Sequence, residues 1–150
     1  EQDEQIWNFL IEVFERLTKG AKKERAKLPA GSLALSFQKL FYYYFLWNLL
    51  AILGYQVDLY HCVKCQEKLF PNIMNFSSES NGIVCLKCSD DTIKDKILIS
   101  SETIKILRLF LKKDWDVLLK LKIENSFWEE LEKVSENYFA YYKKEDNLLK

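Results

Sequence analysis

Histidine is almost missing from the 150-residue chain, which contains one, His61. A single histidine leaves no Ser-His-Asp set, and no Cys-His pair outside a metal site. Glycine is scarce as well. The four glycines stand apart at 20, 31, 54 and 82, so no Gly-rich phosphate loop is present. With two prolines besides, the chain lacks the turn chemistry of sandwiches and barrels, and long helices are expected instead. No net charge remains, because 22 Lys and Arg balance 22 Asp and Glu. Charge by itself therefore announces neither a nucleic-acid nor an acidic partner. The apolar stretch that might pass for a signal peptide lies too far inside the chain. The chain starts on Glu1 rather than Met and reads as a piece of a longer or processed protein.

What is present suits a folded domain. Hydrophobic residues make up 49% and aromatics 15%, enough for a core, and the length fits one domain. Residues 40–57 carry no charge. That run is shorter than the roughly twenty residues of a membrane span. It holds Asn48 at its centre and is broken by Gly54-Tyr55-Gln56. A helix buried on most sides is the expectation, with no membrane partner.

Charge is distributed unevenly. Residues 1–18 are net −4, 19–27 net +4 and 123–150 net −3. Ile6, Phe9, Leu10, Val13, Phe14 and Leu17 make one apolar helical stripe. Gly20 is expected to end that helix, leaving Lys19, Lys22, Lys23, Arg25 and Lys27 in a basic linker. Ser32 is a plausible cap for a helix running to Leu53 and stopped by Gly54. Ser100 or Ser101 caps a helix carrying Ile104, Leu107 and Leu111. Asp114 starts a short helix through Leu121. Ser126 with Glu129 has the capping-box pattern ahead of a last stripe of Phe127, Leu131, Val134, Tyr138 and Tyr141. No internal repeat is visible.

Residues 60–98 break the helical pattern and hold all four cysteines. Cys62-x2-Cys65 and Cys85-x2-Cys88 are separated by nineteen residues, the sequence form of a structural zinc site. Each knuckle turns two thiolates to one point, and two knuckles complete a tetrahedron around one Zn²⁺. Lys68-Leu69-Phe70 and Ile83-Val84 would form a short β-hairpin between them. Two rivals stand beside zinc. Disulfides suit a secreted chain, and an iron–sulfur cluster also takes four thiolates. Four cysteines close the shell, so a catalytic metal is not expected and His61 reads as a neighbour facing solvent. The expected fold is mostly α: a helical bundle, residues 1–59 and 99–150, with an inserted four-Cys zinc ribbon over 60–98. No active site is legible, and an enzyme is not expected.

With these elements placed, the chain resembles a known family. Leu49-Leu50-Ala51-Ile52-Leu53-Gly54-Tyr55-x2-Asp58-Leu59-x2-Cys62-x2-Cys65 resembles the approach to the zinc knuckle in bacterial RecO recombination mediators. Phe76-Ser77-x-Glu79-x2-Gly82-x2-Cys85-x2-Cys88 resembles the second strand and knuckle. Ile99-Ser100-x-Glu102-Thr103-x2-Ile106-Leu107 and Tyr138-x2-Tyr141-Tyr142 continue the likeness in order, over roughly residues 35–150. Departures fall at turns. The family's Pro after Gly-Tyr is not seen at Gln56 or Val57. Gln66 stands for a Gly, and Leu86 and Ser101 stand for Pro.

The resemblance implies a non-enzymatic, cytoplasmic, nucleoid-associated role in DNA repair and recombination. Its implied partners are single- and double-stranded DNA, the tail of single-strand-binding protein, and RecR, in support of RecA loading and strand annealing. It also implies an N-terminal OB-fold, placed before Glu1, that carries much of the DNA and RecR contact. The candidate contacts in this chain are Lys22, Lys23 and Arg25 in the basic segment and Lys105, Arg108, Lys112 and Lys113 on one helix. Lys105, Arg108 and Lys112 share a helical face, beside Leu107, Leu109 and Leu111. The plain alternatives are a solvated linker and an ordinary polar face. At the level of the whole chain, the alternative is a general protein-interaction module built on a structural ribbon.

Overall fold

A computed structural model describes residues 1–25, 32–70 and 72–148; the side chains of 20–25, 32–35 and 145–148 lie outside that description. The chain divides into two compact units, 1–55 and 56–150.

The first unit is a pair of antiparallel helices, α1 (Gln2–Arg25) and α2 (Ser32–Ile52). Helix α1 does not stop at Gly20. Ala21, Lys22, Lys23 and Arg25 are strong helix formers and outweigh the roughly 1 kcal/mol that one glycine removes. The basic segment is therefore largely helical rather than a linker, while Lys27 lies outside the described residues, as do the side chains of Lys22, Lys23 and Arg25. Phe9 and Val13 are buried, whereas Phe14 is exposed together with Trp7 and Ile11. Phe14 sits at the margin of the stripe, where an apolar arc of about 100° ends. The Phe9 ring stacks on Phe45 at 5.7 Å, and the Tyr44 hydroxyl donates to Glu12 Oε1 at 3.4 Å. Burial, then the Glu12 carboxylate, push the Tyr44 phenol up to about 12.

Helix α2 is buried along most of its length, through Leu40, Phe41, Tyr43, Tyr44, Leu46, Trp47 and Leu50. Asn48, also buried, donates to the Tyr44 carbonyl at 2.8 Å. Among the described residues no helix is long and apolar enough to cross a membrane. The helix ends as its sequence demands. Gly54 takes φ +98, Tyr55 N–H donates to Leu50 O at 2.9 Å and Gly54 N–H to Ala51 O at 3.1 Å, which is the Schellman pattern. The cap proposed for Ser32 concerns a side chain outside the described ones.

The second unit has a three-stranded antiparallel sheet and three helices. The strands are β1 (Met74–Ser77), β2 (Gly82–Val84) and β3 (Ile97–Ile99), in the order β2-β1-β3. Lys68-Leu69-Phe70 is not the first strand. Met74–Ser77 pairs with β2 instead, Phe76 opposite Ile83. The Met74–Ser77 stretch is buried throughout, and that burial decides the pairing over the short apolar run nearer the knuckle. Phe76, Ile83 and Ile97 share one face by register. There the Phe76 ring meets Tyr138 edge-on at 5.4 Å.

Tyr138 belongs to α5 (Asn125–Leu148); α3 (Ser101–Leu111) and α4 (Trp115–Leu118) precede it. Ser100 caps α3, its Oγ accepting from Thr103 N–H at 3.2 Å. Asp114 caps α4, which ends at Leu118 rather than Leu121. Helix α5 begins at Asn125, so Ser126 lies inside the first turn and forms no capping box. Its buried stripe is Trp128, Leu131, Val134, Tyr138 and Tyr142. One α5 carboxylate reaches across. Glu130 Oε2 accepts from Ser100 N–H at 2.8 Å, Ser100 Oγ at 2.7 Å and Thr103 Oγ1 at 2.8 Å.

Candidate metal centre and basic surface

The first knuckle is built by Asp58. Its Oδ1 accepts from the N–H groups of Tyr60 at 2.7 Å and His61 at 3.0 Å, an Asx turn that aims the chain into the knuckle. Burial opposes ionisation of Asp58, but those two amides and His61 overcome it and lower its pKa. Cys62 N–H then donates to Glu67 O at 2.9 Å and Gln66 N–H to Cys62 O at 2.8 Å, closing a tight turn. Gln66 takes φ +61 there, the left-handed region that glycine enters at least cost. The second knuckle is a single 3₁₀ turn over Leu86–Cys88. It is docked on the first, with Cys85 N–H donating to Cys62 Sγ at 3.4 Å.

These two turns bring four sulfurs within 4.8 Å of one another. The Cys65 and Cys85 Sγ atoms are 3.9 Å apart. A tetrahedron with metal–sulfur bonds near 2.3 Å has sulfur–sulfur edges of about 3.8 Å, so the donor set fits one tetrahedral ion. All four cysteines are free thiols. Cys62 is wholly buried and packs with Val84 and Ile93 in a small core that Val63 and Leu69 complete. The thiols do not ionise alike. Burial opposes the Cys62 thiolate, yet the amides of Cys65, Cys85 and Lys64 more than offset it and bring the thiol down to about 6. Cys88 moves the other way, to about 12, chiefly through its hydrogen bond with Cys85 and then with Cys65. Four thiolates so close need a cation to coexist, and a dication supplies that charge. His61 stays outside the cluster, exposed, its Nδ1 3.4 Å from Asp58 Oδ2.

The four basic candidates on α3 and just past its end stand in different situations. Lys105 is exposed and 3.7 Å from Glu102. Arg108 is committed: its Nε donates to the Leu59 carbonyl at 2.9 Å, and its guanidinium lies over the Tyr60 ring at 4.5 Å. Lys112 forms no ion pair among the described residues and sits 5.9 Å from the same ring. Lys113 is exposed at the C-terminal end of α3, with φ +56. Leu107 is fully buried and faces away from these cations. Leu111 instead joins Arg108, Lys112, Tyr60 and Leu59 around a cavity of about 440 Å³. The role of Tyr60 escapes a reading by periodicity, because it stands in a turn two residues before a cysteine. Its aromatic ring beside a C-x2-C pair is the one available signal.

A mostly helical chain carrying a four-thiol ribbon, with a basic and aromatic hollow beside it, defines a metal-ribbon module. Residues 34–148 match the family described as "Recombination protein O C terminal", and the chain belongs to that family. It is 36% identical over 89 residues to the DNA repair protein RecO of Dehalococcoides mccartyi strain BAV1, covering 59% of this chain and 34% of that protein. It is 33% identical over 91 residues to the RecO of Thermoanaerobacter sp. strain X514, covering 61% and 36%. With the RecO of Bacillus subtilis strain 168 it shares 30% over 97 residues, covering 63% and 36%. The chain thus spans about a third of the length of the curated relatives it matches. No solved structure matches.

Proposed function

We propose that this chain is the helical and ribbon portion of a DNA repair and recombination mediator, without catalytic activity of its own. Family membership across 34–148 carries this reading. In it the four cysteines hold one structural Zn²⁺, which stiffens the ribbon and takes no part in chemistry. The partners are DNA, single-strand-binding protein and, through the rest of the protein, RecR, in support of RecA loading and strand annealing. The setting is the bacterial cytoplasm at the nucleoid. Residues 1–59 and 99–150 serve as the helical portion and 60–98 as the ribbon.

For the tail of single-strand-binding protein, the favoured place is the hollow of Tyr60, Leu111, Arg108 and Lys112. Such a tail presents carboxylates beside an apolar anchor. The hollow offers an ammonium without an ion pair next to leucine and an aromatic ring, which suits both. Asp58, the one carboxylate in its lining, is engaged by the Tyr60 and His61 amides. Lys105 and Lys113 extend the positive edge, and Lys22, Lys23 and Arg25 are further candidates for phosphate contact by their charge. Zero net charge gives no broad field for DNA, so the tail peptide is expected to bind this chain more clearly than DNA does.

Calorimetry with an acidic tail peptide tests the site. Lys112→Glu should weaken binding by about 1–3 kcal/mol, the scale of a charge-assisted bond reversed. Arg108→Glu should do at least as much, but it also frees the Leu59 carbonyl, so its fold needs checking by circular dichroism. Unchanged affinity in Lys112→Glu would remove this hollow from the reading. Metal analysis tests the ribbon: one zinc per chain is expected, and two disulfides or an iron–sulfur absorption would overturn it.

A further inference from the structure

A second concavity lies on the ribbon itself, about 280 Å³ in volume, between the two knuckles and the approach to β1. Leu69 and Met74 line it, and Lys68 and Lys87 contribute to its walls. Its apolar lining continues outward. Phe70 is 70% exposed, with Ile73 and Leu86 exposed beside it. The Phe70 ring has no aromatic partner, and neither lysine has an ion-pair partner, among the described residues. Glu67 is the one acid that lines the groove.

The geometry points to a binding site for single-stranded nucleic acid on the ribbon, with Phe70 as the stacking platform and Lys68 and Lys87 as phosphate contacts. An open aromatic face sharing a groove with cations that have no ion pair is the arrangement that holds unpaired strands, because every base has a flat face to stack and every linkage a charge to meet. A groove of this volume accepts one base, and Ile73 and Leu86 cover its edges. A peptide is the weaker occupant. Phe70 offers a flat exposed face, whereas a peptide's apolar anchor needs a pit closed around it. The site rests on the DNA-repair reading but lies on other residues than the α3 hollow.

The test uses the whole chain with its metal bound and a fluorescein-labelled dT20 oligonucleotide, read by anisotropy at low salt. Phe70→Ala should raise Kd about tenfold, within the range for losing one stacked base, while Phe70→Tyr should keep the wild-type value. Lys68→Glu with Lys87→Glu should flatten the log Kd against log salt slope by about 1.4, two single-strand phosphate contacts. An oligonucleotide abasic throughout should bind wild type no better than dT20 binds Phe70→Ala. Equal dT20 affinity in wild type and Phe70→Ala overturns the site. So does a Phe70→Ala variant that loses the acidic tail peptide but not dT20. Excess acidic tail peptide should not displace bound dT20, which separates the two surfaces. Absence of any dT20 binding removes the ribbon site and leaves the peptide titration to decide the broader reading.

Discussion

Gln66 holds a left-handed conformation, φ +61, in the turn that closes the first knuckle. A side chain in that region costs about 1 kcal/mol or somewhat more. The Gln66 Nε2 bond to Val63 O at 3.2 Å, on the surface, returns only part of that. Gln66→Gly is therefore expected to stabilise the metal-loaded chain by about 0.5–1 kcal/mol, read as a higher denaturation midpoint. A lower midpoint would show that the glutamine bond outweighs the strain. Gly82 is the opposite case. A Cβ there would stand 2.9 Å from Asp58 O and 2.6 Å from Val63 Cγ1. The valine methyl can rotate away, but the carbonyl belongs to the backbone that sets the Asx turn. Gly82→Ala should destabilise by about 1–3 kcal/mol and weaken metal retention with it, measurable by competition with a chromophoric chelator.

At the scale of elements, helix α3 begins where three demands meet. Ser100 caps it, Glu130 of α5 accepts three hydrogen bonds from its first turn, and Arg108 near its end grips the Leu59 carbonyl. Glu130→Ala leaves those donors without their acceptor in a half-buried place, a loss of about 2–3 kcal/mol. Thermal melting checks it, and a shift too small to resolve would mean that water replaces the carboxylate. Ser101 occupies the first helical position, where proline suits the backbone and an N–H has no helical partner. Ser100 is already extended at ψ 159, the conformation that precedes proline. Ser101→Pro should raise stability by about 0.5–1 kcal/mol.

For the molecule as a whole, the two sides of the sheet pack on different neighbours. The Phe76 side packs on Tyr138, and the Val84 side packs on Cys62 and Ile93. With one ion bound as proposed, its removal should first dissolve the small core around Cys62, which would draw its folding energy from the metal. The rest of the second unit should then weaken through the shared strands. Helices α1 and α2 have their own aromatic contacts and should keep their helicity. Circular dichroism of Cys85→Ser is expected to retain a substantial helical signal, and complete loss would show that the ribbon holds the entire chain together.

The clustering of the four cysteines was legible in the sequence because a C-x2-C knuckle is a local object: spacing alone turns two thiols to one point. Helix positions were legible for the same reason, since a period of 3.6 and a cap are properties of neighbouring residues. Gly54 closing α2 and Ser100 opening α3 are both written in a few adjacent letters. Gly20 misled because one unfavourable residue was weighed without the helix formers behind it. Tertiary structure alone decided which strand pairs with β2, for Met74–Ser77 and Lys68–Phe70 are similar runs until Tyr138 arrives to bury one of them. It also decided the fate of Arg108. On a helical wheel it is one more surface cation; in the fold it answers the carbonyl of Leu59, 49 residues away, while Lys112 beside it has no ion pair among the described residues. Local periodicity cannot encode such a choice, because the groups that decide it are brought together only by packing.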